Sequence, residues 1–569
     1  MGSVDAGTHG AFDVKSVAVI GAGPCGLAAA KYLKWQPPSS SSSSRAASGS
    51  YFDKITVFEQ QPRVGGVWLY SATPPSPSPI PQTSAHAPPD PPVYNGEKGD
   101  AASAPIFPSP MYDRLNTNIP HTLMQYSDFP FTDEQGQTAE QGGDLRIFPE
   151  RQVVLRYLDE YTDQAQIRPL IRFSTSVLKV RLRKTAVQDS GAGEAAAVAA
   201  RQQKDQWDIT SRNLLTGHEQ TETYDAVVVA GGHYNTTYVP DVEGIAAFDQ
   251  EHRGVISHAK TFRSPGAFAD KKVMVVGNSA SGLDIAAQIN AVSRGPVLVS
   301  VQTPTSDEAR RHAGFDEVAE IARFLPGPRR AVLLKDGREV EDLDAILFCT
   351  GYLFTFPFFE GKDGFLGAST AEATESDNHS NNKSSDPPPP PLITDGRRVH
   401  GLWKHFLHIR HPTLAFPGLP IKVIPFPLSE SQAAVFARAW ANALALPPAS
   451  EMRDWERREE AERSPHKYHV FPALGDARYI NGIHDWLRQE QQQGGGCQGK
   501  EPPYWSPEMF WQRGVYAQAR IKFEQDGRKA TTLAELGFVY EPEKEEDGSS
   551  QVAVQPEAVN TEPGLDIAG

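Results

Sequence analysis

Two distant segments of this 569-residue chain share one grammar. Each is a short β-branched run, then a turn of small residues, then an Ala-rich stretch with apolar residues at helical spacing. The first is SVAVIGAGPCGLAAAKYL, Ser16 to Leu33; the second is KVMVVGNSASGLDIAAQI, Lys272 to Ile289. Runs such as VAVI and VMVV, apolar without alternation, predict strands buried on both faces, as in parallel sheets covered by helices. Repetition of strand, turn and helix constrains the chain to an α/β fold with two Rossmann-like dinucleotide-binding units.

The glycines carry the chemistry. Gly21, Gly23 and Gly26 fill G-x-G-x-x-G: the first permits a tight turn off the strand, the second lets backbone approach a pyrophosphate, and the third lets helix and sheet pack closely. Pro24 and Cys25 complete the turn, and the helix N-terminus offers N–H groups to phosphate. Such a motif gains weight from an acid ending the next strand, about 20 residues on. Here KITVFE ends in Glu59, 33 residues after Gly26, and the Ser-rich stretch between Trp35 and Tyr51 accounts for the excess. Glu59 is therefore expected to accept hydrogen bonds from an adenosine ribose. Gly65 and Gly66, with Val67 and Trp68, follow directly and suggest a second backbone approach to the same ligand. At the second site, GNSASG places Gly277, Ser279 and Gly282 at the three motif positions, with Asn278, Ala280 and Ser281 between them. A nucleophile elbow, G-x-S-x-G, fails because position 281 is Ser281. After the following strand, PVLVSVQ, an arginine would suit the 2′-phosphate of NADP; Gln302 stands there, and Arg263, Arg310 and Arg311 are the nearby cationic candidates.

The balance of the chain, 39% hydrophobic and 22% charged, is that of a globular protein. Its net charge of -15 gives no reason to expect nucleic acid as partner. Three cysteines, Cys25, Cys349 and Cys497, form no C-x-x-C pair and point to a reducing, cytoplasmic setting. No signal peptide or transmembrane run is visible, and homodimerisation stays open. Four stretches read as surface insertions, too poor in apolar residues to offset ordering entropy: Gln36–Ser50, Ser71–Ala104, Thr185–Lys204 and Ala368–Pro391. From Glu541 an acidic, disordered tail is expected.

Taken in order, these motifs resemble the flavin-containing monooxygenase family, and in particular its fungal members. GAGPCG resembles that family's FAD turn and GNSASG its nicotinamide turn. Between them HRGVISHAKTF matches the signature F-x-G-x-x-x-H-x-x-x-[YF] at Gly254, His258 and Phe262, with His252 in place of the first Phe. FCTGY (348–352) resembles F-A-T-G-Y, with Cys349 for Ala. LNTNIPHTLMQYSDFPF (115–131) resembles the loop carrying an active-site Asn, here Asn118 beside Thr117. KHFLHIRHPTLAFPGLPIKVIPFPLSE (404–430) resembles the late part of the FAD domain.

The resemblance implies an FAD- and NAD(P)H-dependent enzyme, similar to N,N-dimethylaniline monooxygenase. Such enzymes place one oxygen atom of O₂ on a small nucleophile (a thiol, sulfide or amine) through a flavin C4a-hydroperoxide. It implies FAD and NADP as cofactors, an FAD domain at 14–240 and 340–540, and a nicotinamide domain at 241–339 inserted between. Asn118 is implied to hold the reactive oxygen and the nicotinamide ribose. His258 is expected to serve the domain junction rather than proton transfer, and Trp35, Trp403 and Trp440 to serve the core. His405, His408 and His411 are not expected to bind metal, because Pro412 and Pro417 break any shared helix face. A helix N-terminus lowers a thiol's pKa, yet without a resolving partner Cys25 reads as packing. A flavin oxidoreductase without oxygen transfer is an alternative, and a Baeyer–Villiger enzyme another, although those carry Trp-Pro where Phe262-Arg263 stands.

Overall fold

A computed structural model describes residues 12–35, 51–94, 105–183, 205–359, 391–493 and 499–542. Both repeated segments fold as their pattern predicts, with strands Ser16–Ile20 and Val273–Val276 feeding helices Pro24–Lys34 and Ala280–Asn290. Ser16–Ile20 lies parallel between Lys54–Phe58 and Ala226–Val229. These belong to a seven-stranded sheet completed by Ile171–Arg172 at one edge and by Leu414–Ala415, Leu407–His408 and Leu402–Trp403 at the other. Val17, Ala18 and Val19 are fully buried, as a strand covered on both faces requires. Against the first helix packs Pro425–Trp440, started by a proline at its first position and buried along its length. Trp440 lies inside it and donates its indole N–H to Pro412 O at 2.8 Å. Trp403 is buried edge-on to Trp486, and Trp35 is half-buried.

The second sheet has five strands, all parallel, in the order Asp316–Ala319, Leu298–Val301, Val273–Val276, Ala345–Phe348, Ile256–His258. It is inserted between Val229 and Leu402 of the first sheet. The outgoing connection, Thr236–Thr237, and the returning one, Tyr352–Leu353, pair antiparallel as a two-stranded ribbon. The sheet corrects the expected end of the inserted unit at 339. Ala345–Phe348, assigned from sequence to the FAD part, lies between Val273–Val276 and Ile256–His258, so the unit runs on to the ribbon.

Ser71–Tyr94, which reads from its composition as a surface insertion, is an irregular and mostly exposed loop that is nevertheless anchored: Gln82 and Val239 exchange backbone hydrogen bonds at 3.0 and 2.8 Å, and Ala85 is buried. The other expected insertions, and the tail beyond residue 542, lie outside the described residues, apart from Pro391. Among the described residues no helix is long and apolar enough to cross a membrane.

Candidate active site

Both turns have backbones that only glycine satisfies. Gly21 has φ +102°, and a Cβ there would lie 2.5 Å from Ala230 O; one on Gly26 would lie 1.9 Å from Gly21 O. The second turn repeats this: Gly277 has φ +106° with Cys349 O at 2.8 Å, and a Cβ on Gly282 would meet Gly277 O at 2.1 Å. Gly66 approaches the first turn from outside, where a Cβ on it would lie 2.9 Å from Gly23 Cα. Gly65 N donates to Ala22 O at 3.1 Å. The residues preceding the two helices, Gly23 and Ser279, are extended, and neither supplies a side-chain cap. Each first turn therefore presents amides suited to an anion.

The two turns open onto one cavity of about 1850 Å³, well above the ~300–1,000 Å³ of a site for one drug-sized ligand. Of the residues expected from sequence, Gly21, Gly23, Pro24, Cys25, Glu59, Gly66, Val67, Trp68, Thr117, Asn118, Gly277, Asn278, Ser279, Ala280 and Ser281 all line it. Gly26 and Gly282 stand behind the turns, where they let helix and strand meet. Glu59 is 4% exposed, and its carboxylate accepts from Ala22 N at 2.6 Å and Gln61 N at 2.8 Å. Burial nevertheless pushes its pKa up to about 7. A carboxylate has about four lone-pair sites, so acceptor capacity remains for a ribose at the cavity.

The loop carrying Asn118 is clamped from both sides. Thr117 N donates to Pro149 O at 2.9 Å, and its buried hydroxyl donates to Ile119 O at 2.8 Å. Asn116 Nδ2 donates to Phe148 O at 3.0 Å. The family signature also gains physical meaning. Gly254 takes φ +84°, a turn that favours glycine. Phe262 is buried edge-on to Tyr112, with centroids 5.3 Å apart. His258 is buried, and its Nδ1 accepts from Lys260 N at 3.1 Å, so Nε2 carries the proton and donates to Gly351 O at 3.1 Å. Burial lowers its pKa to about 4. A neutral ring with both nitrogens engaged ties strand Ile256–His258 to the returning connection.

The remaining candidates each sit in a setting of their own. Burial outweighs the helix terminus at Cys25 and pushes its thiol up to about 11; Cys349 rises to about 12 for the same reason. The Arg263 guanidinium donates to the carbonyls of Lys260, Phe262 and Ser109. Arg310 pairs with Asp307, and Arg311 Nε donates to Asp307 O; both border a shallow surface depression apart from the cavity. Gln302 does line the cavity. The histidines of 405–411 diverge: His405 meets His469, His411 meets Asp205, and His408 Nδ1 accepts from His411 N. Among the described residues no group of three metal-ligating side chains forms. Sequence reasoning missed His233, Tyr234 and Asn235, which line the cavity just past strand Ala226–Val229. The signal was GGHYN directly after AVVVA, since ligands of α/β sheets gather at the carboxyl ends of strands.

Fold and site together define an α/β protein with two dinucleotide-binding units. Residues 107–307 match the family model described as flavin-binding monooxygenase-like. The chain is 30% identical over 508 residues to flavin-containing monooxygenase FMO GS-OX-like 7 of Arabidopsis thaliana, covering 87% of each chain. It is 29% identical over 439 residues to the thiol-specific monooxygenase of Saccharomyces cerevisiae, covering 76% of this chain and 79% of that one. The structure of S-allyl-L-cysteine S-oxygenase from Allium sativum shares the fold, with a TM-score of 0.62 and 23% identity over 92% of this chain and 96% of that one. The chain belongs to the flavin-containing monooxygenase family and is an oxidoreductase of that class.

Proposed function

We propose that this enzyme uses FAD and a nicotinamide dinucleotide, NADP by family habit, to place one atom of O₂ on the sulfur or nitrogen of a small nucleophile: a thiol, sulfide or amine. The observation that carries the reading is that both glycine turns open onto one cavity. Together the two cofactors supply hydride transfer and O₂ activation. The protein's share is position and dryness. Amides at Gly21–Gly26 and Gly277–Gly282 grip the two pyrophosphates, Glu59 takes the adenosine ribose of the FAD, and Gly66–Trp68 back the flavin. Asn118 offers two donors and one acceptor, suited to hold the reacting oxygen and a ribose hydroxyl. The FAD unit is assigned to 14–240 and the residues from the ribbon to 540, with the nicotinamide unit between.

Cys25, Cys349 and Cys497 form no C-x-x-C pair, which argues against electron transfer to a disulfide. Phe262-Arg263, in place of Trp-Pro, argues against Baeyer–Villiger chemistry. The test is a panel of thiols, sulfides and amines supplied with NADPH and ¹⁸O₂. One labelled oxygen per product molecule is expected for at least one class. NADPH consumption yielding only peroxide across the whole panel overturns the reading. Asn118→Ala should keep its FAD yet lose product per NADPH by about tenfold, as for one lost hydrogen bond.

A further inference from the structure

The Pro-rich segment Ser71–Tyr94 is fastened to the junction between the two sheets at three points. Thr237 Oγ1 donates to Ser78 Oγ at 2.8 Å. Gln82 and Val239 form the backbone bridge described above. Farther along, Asp90 Oδ2 lies 2.5 Å from Lys260 Nζ. Lys260 is 3% exposed, and its ammonium also donates to Asn235 O. It follows His258 by two residues and so stands on backbone that the imidazole holds in place. Beyond the bridge to Val239, the strap borders the large cavity through Ala87, Pro89, Asp90, Pro91, Pro92 and Tyr94, with Pro89, Pro91 and Tyr94 also exposed to solvent.

A buried ammonium without a counter-charge is costly, so the strap stays seated as long as Asp90 supplies one. Its prolines cut the conformational freedom of the released segment, which favours the seated state. We propose that Asp90 and Lys260 are positioning residues whose ion pair makes the Pro-rich strap a wall of the cavity and keeps water from the gap. The consequence for oxygen transfer rests on the proposed function, whereas the latch itself does not.

The test compares holoenzyme carrying Asp90→Asn, Lys260→Met, both together, and Asp90→Glu. Three quantities are followed: protease cleavage within residues 71–94 located by mass spectrometry, peroxide released per NADPH, and melting temperature. Asp90→Asn and Lys260→Met should each raise cleavage about tenfold, because cleavage tracks the open population, and should raise the peroxide share. Asp90→Glu should restore both. The double variant buries no charge and should regain melting temperature while its strap remains cleavable. The proposal is overturned if Asp90→Asn leaves cleavage at the wild-type rate, or if the double variant recovers wild-type cleavage and peroxide together. Cleavage that rises as expected in an enzyme that oxygenates nothing would sink the oxygen-transfer reading and leave the latch standing.

Discussion

At the first glycine turn the helix Pro24–Lys34 buries Gly26, Leu27, Ala28, Ala29, Ala30, Tyr32 and Leu33, and the helix Pro425–Trp440, buried from Phe426 on, lies against it. At the second, Ala280–Asn290 buries only Gly282, Ile285, Ala286 and Ile289. The strand ends differ in the same sense. Directly after Phe58 comes Glu59, buried and bonded to amides; directly after Val301 comes Gln302, exposed. Nearly the same turn is thus set in core at one site and at a surface in the other. This teaches that the turn defines what is gripped, and its surroundings how firmly. The first suits a resident dinucleotide, and the second suits one that exchanges at each turnover.

Breaking the turns themselves gives the largest effect. An added methyl at Gly26 or Gly282 would stand 1.9 or 2.1 Å from a turn carbonyl. Overpacking costs about 1–3 kcal/mol where neighbours can adjust. Here the neighbour is backbone, so the upper end applies, about a hundredfold in affinity at ~1.4 kcal/mol per tenfold. Gly26→Ala should purify without its flavin absorbance. Gly282→Ala should keep its flavin and lose nicotinamide binding, read by anaerobic flavin reduction. Loss of flavin from both variants would break the comparison, because the second turn would then be part of the same rigid grip.

Glu59 tests the buried site more finely. Glu59→Gln should weaken FAD by about tenfold, as expected for one charge-assisted hydrogen bond. Its pH behaviour in the flavin-free chain has a definite sign. Burial raises the folded pKa from 4.5 to about 7. Between those values the unfolded chain has released a proton that the folded chain keeps, so stability falls as pH rises through that window. At ~1.36 kcal/mol per pH unit, the total is of order 3 kcal/mol. Glu430, buried on Pro425–Trp440 and bonded to Ser127, is raised to the same value and adds a second slope. Denaturant titrations at pH 5, 6 and 7 should therefore show Glu59→Gln gaining on the wild type as pH rises, with the Glu430 share left in both. A constant difference across that range would mean Glu59 is ionised throughout.

The turns were legible because their requirements are local: a glycine at positive φ and a small residue behind it leave a mark within six positions. Glu59 was legible even across the Ser-rich insertion, because KITVF still reads as a buried strand. The end of the inserted sheet was not, since AILF is apolar in either sheet and only its pairing with Val273–Val276 decides the matter. The anchoring of the Pro-rich strap was not legible for a related reason. Composition reports what a segment can bury alone, whereas Asp90 is held by Lys260, 170 positions away. At Cys25 the local rule, a lowered thiol at a helix start, pointed the wrong way because burial against the Pro425–Trp440 helix outweighs it. Arg263 was unreadable as a phosphate ligand or otherwise, because the carbonyls that occupy it belong to backbone geometry.

The smallest expected effect tests whether the two strand ends are truly equivalent. Gln302 occupies at the second site the position Glu59 holds at the first, and it lines the shared cavity. Its amide can bond a ribose hydroxyl or a phosphate oxygen but brings no charge, and the guanidinium groups of Arg263, Arg310 and Arg311 are engaged elsewhere. Gln302→Arg supplies a cation where a 2′-phosphate would lie. Because the position is exposed, the gain is that of a surface pair, ~1 kcal/mol or about fivefold. Gln302→Glu places a like charge there and should shift preference the other way. The measurement is the ratio of dissociation constants for 2′,5′-ADP and 5′-AMP on the holoenzyme, which isolates the phosphate from flavin chemistry. The ratio should move in opposite directions in the two variants. A ratio unmoved by both charges would show that the dinucleotide's ribose lies away from the end of Leu298–Val301, and that the second turn holds its ligand in a register the first does not share.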